Sequence, residues 1–328
     1  MGARRPHGDG ASPPRIGPLP PPSLVSTAIV TTVLPALPYR TRYAPSPTGA
    51  MHLGHARTAL LTWLRARSED GAIVMRIEDI DAPRVRAGAE AAILRDHEWL
   101  GLDWDEGPFR QSERLARYDE VLAALGDRVY PCTCTRREVH EASAPHGDPG
   151  VYPGLCRQGP LHPEREAASR FRMDEAEPFV DGLAGPVPGG HRDDFVLRRR
   201  DGLHAYQLVV VVDDHDMGIT EVIRGDDLLS STPRQVALYR ALGWEPPAWL
   251  HVPLVVGDDG VRLAKRHGAI GVDAYRDAGW SPERLLGVLG ASLGLTPDPE
   301  PIALAELRER FALDQVHAGP FVPPPPRD

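Results

Sequence analysis

Apolar positions along the chain change period several times, and each change marks an element. Leu53, Ala56, Leu60, Trp63 and Leu64 recur at helical spacing, which predicts a helix from about Leu53 to Ser68 that stops near Gly71. Ahead of it, Pro45, Pro47 and Gly49 force a turn after a strand ending near Arg42 and Tyr43. Behind it, Ala72 to Ile77 is apolar with little alternation and reads as a strand buried on both faces, as in a parallel sheet. Ala87–Leu100 and Glu113–Leu125 predict helices, with Gly101 and Gly126 as stops. Between about 130 and 195 the periodicity dissolves among Pro, Gly, Arg and His, as in an inserted module. Order resumes with Phe195–Arg199 and Ala205–Val212, read as strands about the Asp201-Gly202 turn. The unbroken run Leu208–Val212 places the second of these in the centre of the sheet. Ile219–Ile223 is a further short strand, and Thr232 caps a helix with Pro233 at its first position and Gly243 after its end. His251–Val256 is a strand followed by a turn at 257–260, and Asp273 to Phe311 returns to helical spacing before a Pro-rich tail at Pro323 to Pro326.

This alternation of strands and helices is α/β, and its opening unit suggests chemistry. Strand, turn and helix N-terminus form an anion-binding layout, because the first backbone N–H groups of a helix lack partners and the helix dipole favours negative charge. His52 and His55 lie three residues apart on one face of that first turn and can hydrogen-bond a phosphate whose charge grows in a transition state. The plain alternative is a Pro/Gly-rich turn before a helix carrying two solvated histidines. A chain of 328 residues accommodates about two domains, and 41% apolar with 25% charged residues is the balance of an ordinary soluble protein. The net charge of −9 argues against indiscriminate binding to nucleic acid, although it leaves room for a local basic tract. No stretch approaches the ~18 consecutive apolar residues of a membrane helix. Residues 1–39 place Arg4, Arg5 and Arg15 among prolines and glycines and read as a disordered extension; Pro35 breaks the apolar run from Leu24 to Leu37, which argues against a secretory signal. Three cysteines, Cys132, Cys134 and Cys156, are too few for a disulfide framework and suit either a zinc ion or three inert thiols. A tetrahedral zinc needs a fourth ligand, for which His140, His146 and Tyr152 are at hand, histidine being the usual choice.

His52-Leu53-Gly54-His55 resembles the "HIGH" motif of class I aminoacyl-tRNA synthetases, and the preceding Arg42-Tyr43-Ala44-Pro45-Ser46-Pro47-Thr48-Gly49 resembles the glutamyl/glutaminyl branch of that class. Arg76-Ile77-Glu78-Asp79 and the stretch from Tyr206 to Asp227 are similar to further segments of the glutamyl synthetase site. The resemblance implies that Arg42, Tyr43, Ala44, Pro45, Ser46, Tyr206 and Arg224 line a glutamate pocket whose Glu78 receives the ammonium group. That division suits glutamate, whose two carboxylates need cationic or donor-rich partners and whose ammonium needs an acid. His52, Gly54 and His55 would then lie on ATP. Arg262-Leu263-Ala264-Lys265-Arg266 resembles the "KMSKS" loop, with Arg262 and Ala264 as departures, and implies that Lys265 reaches the ATP phosphates. The same resemblance points to Tyr152, rather than a histidine, as the fourth ligand of a structural zinc.

The fold expected is therefore a class I synthetase Rossmann-like parallel sheet, split by an inserted zinc-bearing module and followed by a short helical C-terminal region. Its parts are 40–104 and 196–260 for the two halves of the catalytic core, 105–195 for the insertion that meets tRNA, and 261–328 for the basic loop and helices. Too little chain follows Arg266 and His267 for an anticodon-binding domain of ~100 residues. This truncation resembles the branch of the family that joins glutamate to queuosine in the anticodon loop of tRNA(Asp). The implied chemistry is activation of glutamate by ATP with Mg²⁺, without tRNA, in a cytoplasmic and monomeric enzyme. The alternatives are a reduced glutamyl-tRNA synthetase charging a tRNA 3′ end, and a non-catalytic RNA-binding or amino-acid-sensing relic.

Overall fold

Strand β1 (Arg40–Tyr43) runs through a turn into helix α1 (Leu53–Ser68), the layout expected from the change of period at Leu53. The computed structural model describes residues 38–143, 151–190, 192–253, 271–316 and 322–326, all of them in the compact unit Leu37–Asp328. Helix α1 starts on His52 in an extended conformation and buries Leu53, Ala56, Leu60, Trp63 and Leu64, the residues that set its period, and Leu61 beside them. Strand β2 (Ala72–Ile77) returns parallel to β1, with Arg42 opposite Val74, and is buried from Ile73 onward as a two-sided strand should be. Helix α2 (Ala89–Leu100) ends on Gly101, whose φ of 74° is a conformation that glycine adopts without cost. Strand β3 (Glu106–Arg110) then extends the parallel set, and helix α3 (Leu115–Ala124) follows.

The chain next leaves this sheet. Strand β4 (Val129–Cys132) leads to helix α4 (Arg136–Ser143), and β5 (Ala168–Phe171) pairs antiparallel with β4. A hairpin of β6 (Phe179–Asp181) and β7 (Gly185–Val187) precedes β8 (Phe195–Arg198), which pairs with β5. After helix α5 (Tyr206–Asp216) come β9 (Glu221–Gly225), α6 (Thr232–Ala241) and β10 (Ala248–Val252), with β10 parallel to both β9 and β6. Thr220, just before β9, donates its N–H to the Arg40 carbonyl at 2.9 Å, so β9 lies beside β1. Strands thus run β3-β2-β1 on one side and β9-β10-β6-β7 on the other. Chain order reverses between β1 and β9, which is where doubly wound sheets hold ligands, at the carboxyl ends of the strands.

Helix α7 (Val272–Asp277) meets α2 through the Arg276–Asp96 pair, and α8 (Pro282–Ser292) and α9 (Leu304–Arg310) pack on α1, with α8 also against α2. Gly287 is required there: a Cβ would stand 2.0 Å from the Glu300 carbonyl oxygen. The Tyr275 hydroxyl and Trp280 indole donate to the carbonyls of Pro324 and Pro326, which ties the Pro-rich tail to α7 and α8.

Three expectations are corrected. The run from Ala205 to Val212 is not a central strand but most of α5. A short apolar stretch has no period of its own and suits a helix buried on all sides as well as a strand. Here every residue from Leu208 to Asp214 is buried, and helical phasing turns Asp213 and Asp214 toward arginines on other elements. Thr232 does not cap α6 either; Ser231 holds that position, and the Thr232 hydroxyl serves Arg224 instead. Strand β10 begins at Ala248 rather than His251, and the expected turn at 257–260 lies outside the described residues.

Asp213 accepts from Gln111, Tyr118 and Arg114 and is fully buried. Removing one partner of a buried, hydrogen-bonded ion pair costs about 3–5 kcal/mol. Asp213→Ala should lose stability on that scale in urea denaturation, whereas Glu141→Ala, breaking an exposed pair with Arg137, should be indistinguishable from the parent.

Candidate active site

The carboxyl ends of β1, β2 and β9 and the first turn of α5 converge at the switch point. Arg42, the third residue of β1, is buried; its Nε donates to Asp214 Oδ1 at 3.2 Å and one terminal nitrogen to the Ile223 carbonyl at 3.1 Å. Glu78 follows β2 directly, with its N–H on the Pro45 carbonyl and its carboxylate 3.2 Å from Arg76. Burial pushes its pKa up, against the pull of Arg76 and Arg42. Tyr206 opens α5, and Arg224 of β9 donates to its hydroxyl at 3.3 Å. The Tyr206 hydroxyl is raised by burial and also feels Arg224, Glu78, Arg42 and Asp214, so the structure brings the polar members of the expected pocket around one point.

Arg42 and Arg224 differ in their company. Arg42 is matched by Asp214, but no carboxylate lies within ion-pairing distance of Arg224 among the described residues. Its neighbours are His251 Nε2 at 3.0 Å, Gln235 Oε1 at 2.9 Å, Thr232 Oγ1 at 2.7 Å, the Tyr206 hydroxyl and the Leu228 carbonyl. Burial lowers its pKa. A buried cation held by uncharged acceptors is suited to an incoming carboxylate.

His52 and His55 stack with ring centroids 3.9 Å apart, and His52 Nδ1 accepts the His55 N–H at 3.3 Å, so one imidazole forms the helix cap. His55 is exposed, and Gly54 stands between the two histidines in the first turn of α1. Ala44, Pro45 and Ser46 form the turn after β1; Pro45 is buried, and the Ser46 carbonyl accepts from Thr48. Tyr43 goes elsewhere. Its ring is buried in the core against His97, centroids 4.7 Å apart, so only its backbone borders the turn. Lys265, with Arg262 and Ala264, lies outside the described residues.

Sequence reasoning missed the residues behind these groups: Asp214, His251, Asp181, Thr232 and Gln235. Asp214 carried a signal, since acids next to an unbroken apolar run demand buried partners. Asp181 and His251 carried none, because they are distant in sequence and only the parallel pairing of β6 with β10 joins them.

At and beyond the end of β4, the sulfurs of Cys132, Cys134 and Cys156 all lie within 4.8 Å of one another, and the Tyr152 hydroxyl is 3.5 Å from both Cys132 and Cys134. Ligands of a tetrahedral zinc stand ~3.8 Å apart for ~2.3 Å zinc–sulfur bonds, so the donor set fits. His140 is not part of the cluster, and His146 lies outside the described residues. Burial would raise Cys156, but donation from the Leu161 and Thr133 N–H groups outweighs it and brings the thiol down to about 6. Cys134 is pushed by burial up to about 12.

The family described as tRNA synthetases class I (E and Q), catalytic domain, matches residues 38–318. The chain belongs to this family. Among class I synthetase relatives, the Glutamyl-Q tRNA(Asp) synthetase of Deinococcus radiodurans is 53% identical over 81% of this chain and 94% of its own length. The Glutamate–tRNA ligase of Geotalea uraniireducens is 45% identical over 87% of this chain but only 63% of its own. A crystal structure of a glutamate tRNA ligase from Elizabethkingia meningosepticum in complex with its amino acid superposes with a TM-score of 0.76 at 28% identity, covering 88% of this chain and 67% of that one. The class I α/β fold with its parallel sheet is thereby established. No helix among the described residues is long and apolar enough to cross a membrane.

His97, which supports Tyr43 beneath the synthetase turn, donates its Nδ1–H to the Ile93 carbonyl, and burial pushes its imidazole down to about 4. A free imidazole titrates near ~6.5, so between those values the unfolded chain binds the extra proton and stability falls as pH falls. On account of His97 alone, the unfolding free energy should drop by ~3 kcal/mol from pH 6.5 to 4. Urea titrations of His97→Phe should show a correspondingly shallower acid limb.

Proposed function

We propose that this synthetase activates glutamate with ATP in the absence of tRNA and transfers it to the queuosine base in the anticodon loop of tRNA(Asp). The observation that carries the amino-acid assignment is Arg224: a buried cation with uncharged partners, grouped with Arg42, Tyr206 and Glu78 around one point. In this reading Arg42, Arg224 and Tyr206 take the two carboxylates, Glu78 takes the ammonium, and the backbone of the turn from Tyr43 through Ala44 and Pro45 to Ser46 borders the substrate. Glu78 serves only as the anion. Its raised pKa therefore makes glutamate capture weaken in acid, where the protonated side chain has no charge to offer the ammonium.

One carboxylate oxygen of the bound glutamate attacks the α-phosphorus of ATP in line, and the bond from that phosphorus to the oxygen bridging to the β-phosphate breaks, releasing pyrophosphate. His52 and His55, at the N-terminus of α1, hydrogen-bond the phosphate as its charge grows, and the small Gly54 lets the nucleotide approach the helix turn. Lys265 is assigned to the departing phosphates from the resemblance of its loop. Mg²⁺, where bound to ATP, would neutralise part of the pyrophosphate charge. A hydroxyl of the acceptor nucleoside then attacks the carbonyl of the mixed anhydride, loses its proton, and expels AMP. No side chain acts as a covalent nucleophile.

The acceptor assignment is supported by relatives named Glutamyl-Q tRNA(Asp) synthetase, which this chain matches over 94% of their length at up to 53% identity. An anticodon loop also suits a site that reads individual bases, since loop bases are unstacked and accessible on their edges. The insertion, 105–195 by sequence, would hold the tRNA. There Cys132, Cys134, Cys156 and Tyr152 would hold one zinc, which ties β4 to the segment around Cys156 and supplies folding energy rather than chemistry.

Labelled pyrophosphate should exchange into ATP when glutamate is present without any tRNA, and radiolabelled glutamate should label queuosine-containing tRNA(Asp) but not unmodified tRNA(Asp). Preferential labelling of tRNA(Glu) would instead assign the chain to 3′-end charging, and no glutamate-dependent exchange at all would leave only the non-catalytic alternative. Purified protein should contain one zinc per chain by elemental analysis, and Cys134→Ser should lower that content while glutamate-dependent exchange survives better than transfer to tRNA. Metal-free wild-type protein prepared without chelators would rule out the zinc site.

A further inference from the structure

Arg224 is aimed by Tyr206 and by further neighbours behind it, and one of these, His251, is bonded to a residue of β6. His251, on β10, is almost fully buried. Its Nδ1 lies 2.6 Å from Asp181 Oδ2, and its Nε2 lies 3.0 Å from Arg224 Nε. The Arg224 Nε carries a hydrogen and can only donate, while Asp181 as an anion can only accept. Both contacts are satisfied together by a single state of the imidazole: neutral, with its proton on Nδ1 and its lone pair on Nε2. Asp181 is in turn fixed by the N–H groups of Leu183, Ala184 and His251, so its carboxylate cannot swing away from the ring.

We propose that Asp181 and His251 are positioning residues for the amino-acid pocket: Asp181 of β6 sets the tautomer of His251, and His251 thereby holds the Arg224 guanidinium in place while leaving its charge for the substrate carboxylate. The proposal rests on the reading of Arg224 as a carboxylate binder. A carboxylate placed directly on Arg224 would hold it as firmly but would cancel the charge. An imidazole lone pair orients without cancelling. Thr232 Oγ1 and Gln235 Oε1 complete the same arrangement, and the Gln235 amide is oriented by its bond to Gln207 Oε1. The charged and titratable groups facing the ring are Asp181 from β6, Arg224 from β9 and Asp226 just beyond it, with the Thr232 hydroxyl of α6 at 3.2 Å. Burial lowers the His251 pKa, with Arg224 adding to that effect and the two acids opposing it, so the ring is neutral at physiological pH. The consequence reaches across the fold: a hairpin inside the insertion is wired by two hydrogen bonds to the residue that reads the amino acid.

Asp181→Asn is the discriminating variant. It keeps size and the acceptor for Leu183 and Ala184, but it turns an N–H toward His251 Nδ1. That forces the proton onto Nε2, where it meets the Arg224 N–H. In ATP–pyrophosphate exchange, the KM for glutamate should rise about tenfold or more while kcat and the KM for ATP stay near wild type, the pattern of a misplaced ground-state contact. His251→Gln, whose amide oxygen can occupy the acceptor position, should retain more glutamate affinity than His251→Leu. An unchanged glutamate KM in Asp181→Asn, with wild-type exchange intact, would overturn the proposal. Nitrogen-15 NMR of the His251 ring provides a readout independent of activity and of how well the variants fold. The wild-type ring should be the Nδ1–H tautomer, and an Nε2–H tautomer would equally overturn it. Absence of glutamate-dependent exchange in the wild type would count against the assigned function alone, since the tautomer measurement still decides the relay.

Discussion

Two arginines buried at the centre of the sheet impose the constraint on which the rest of the structure depends. Arg76 is fully buried on β2 and Arg42 nearly so on β1, and each brings a charge that the interior does not tolerate alone. Helix α5 supplies the answer. Asp214 lies 2.6 Å from Arg76 and 3.2 Å from Arg42, and Asp213 draws Arg114, Gln111 and Tyr118 of the α3 region onto the same helix. Burial works against the Arg76 charge, but Asp214, Glu78 and Asp213 together hold it well above the ordinary range. The two halves of the parallel sheet, separated in sequence by the whole insertion, are thereby locked across α5 by ion pairs that cannot be lost singly without stranding a partner.

That lock explains how the pocket distributes charge. Arg42 serves both the fold and the site, since Asp214 neutralises much of it while the rest of the guanidinium remains at the switch point. Arg224 is built in the opposite way, with neutral acceptors from β10, α6 and α5 that fix its direction and leave its charge unspent. Glu78 lies between the two regimes: one oxygen is engaged by Arg76, and burial keeps its proton affinity raised.

The segment between β4 and β8 is organised by different physics. It has a small apolar cluster of its own, Tyr130, Cys132, Tyr152 and Cys156, in which three sulfurs and a phenol converge. The Arg170 guanidinium covers the Tyr152 ring at 3.7 Å, and Asp193 fixes the Tyr152 backbone and pairs with Arg234 of α6. A further connection to the rest of the chain runs through β6, whose Asp181 lies behind His251.

Much of this was legible in the chain before any coordinates. The bounds of α1 and β2, the α/β class, the paired histidines at a helix start, and the thiols as one cluster all follow from local features: a period, a breaker, a short spacing. The family motifs point to Arg42, Glu78, Tyr206 and Arg224 because each motif is contiguous, and the fold brings these four side chains together. What the sequence could not determine was set by contacts between distant segments. The run Leu208–Val212 suits a strand by composition and became a helix because its burial on all sides, and the inward turn of Asp213 and Asp214, satisfied Arg76 and Arg42 from the other half of the sheet. Tyr43 belongs to a binding motif, yet its ring entered the core, because successive residues of β1 face opposite ways and its neighbour Arg42 took the side toward Asp214. The Thr232 hydroxyl, placed for a helix cap, went instead to Arg224, which no local pattern reveals. Sequence alone determined the elements that have a period or a breaker of their own and the residue types they carry; tertiary structure decided the form of the unbroken apolar run and which charges are cancelled or kept, because both depend on partners brought together only when the sheet closes.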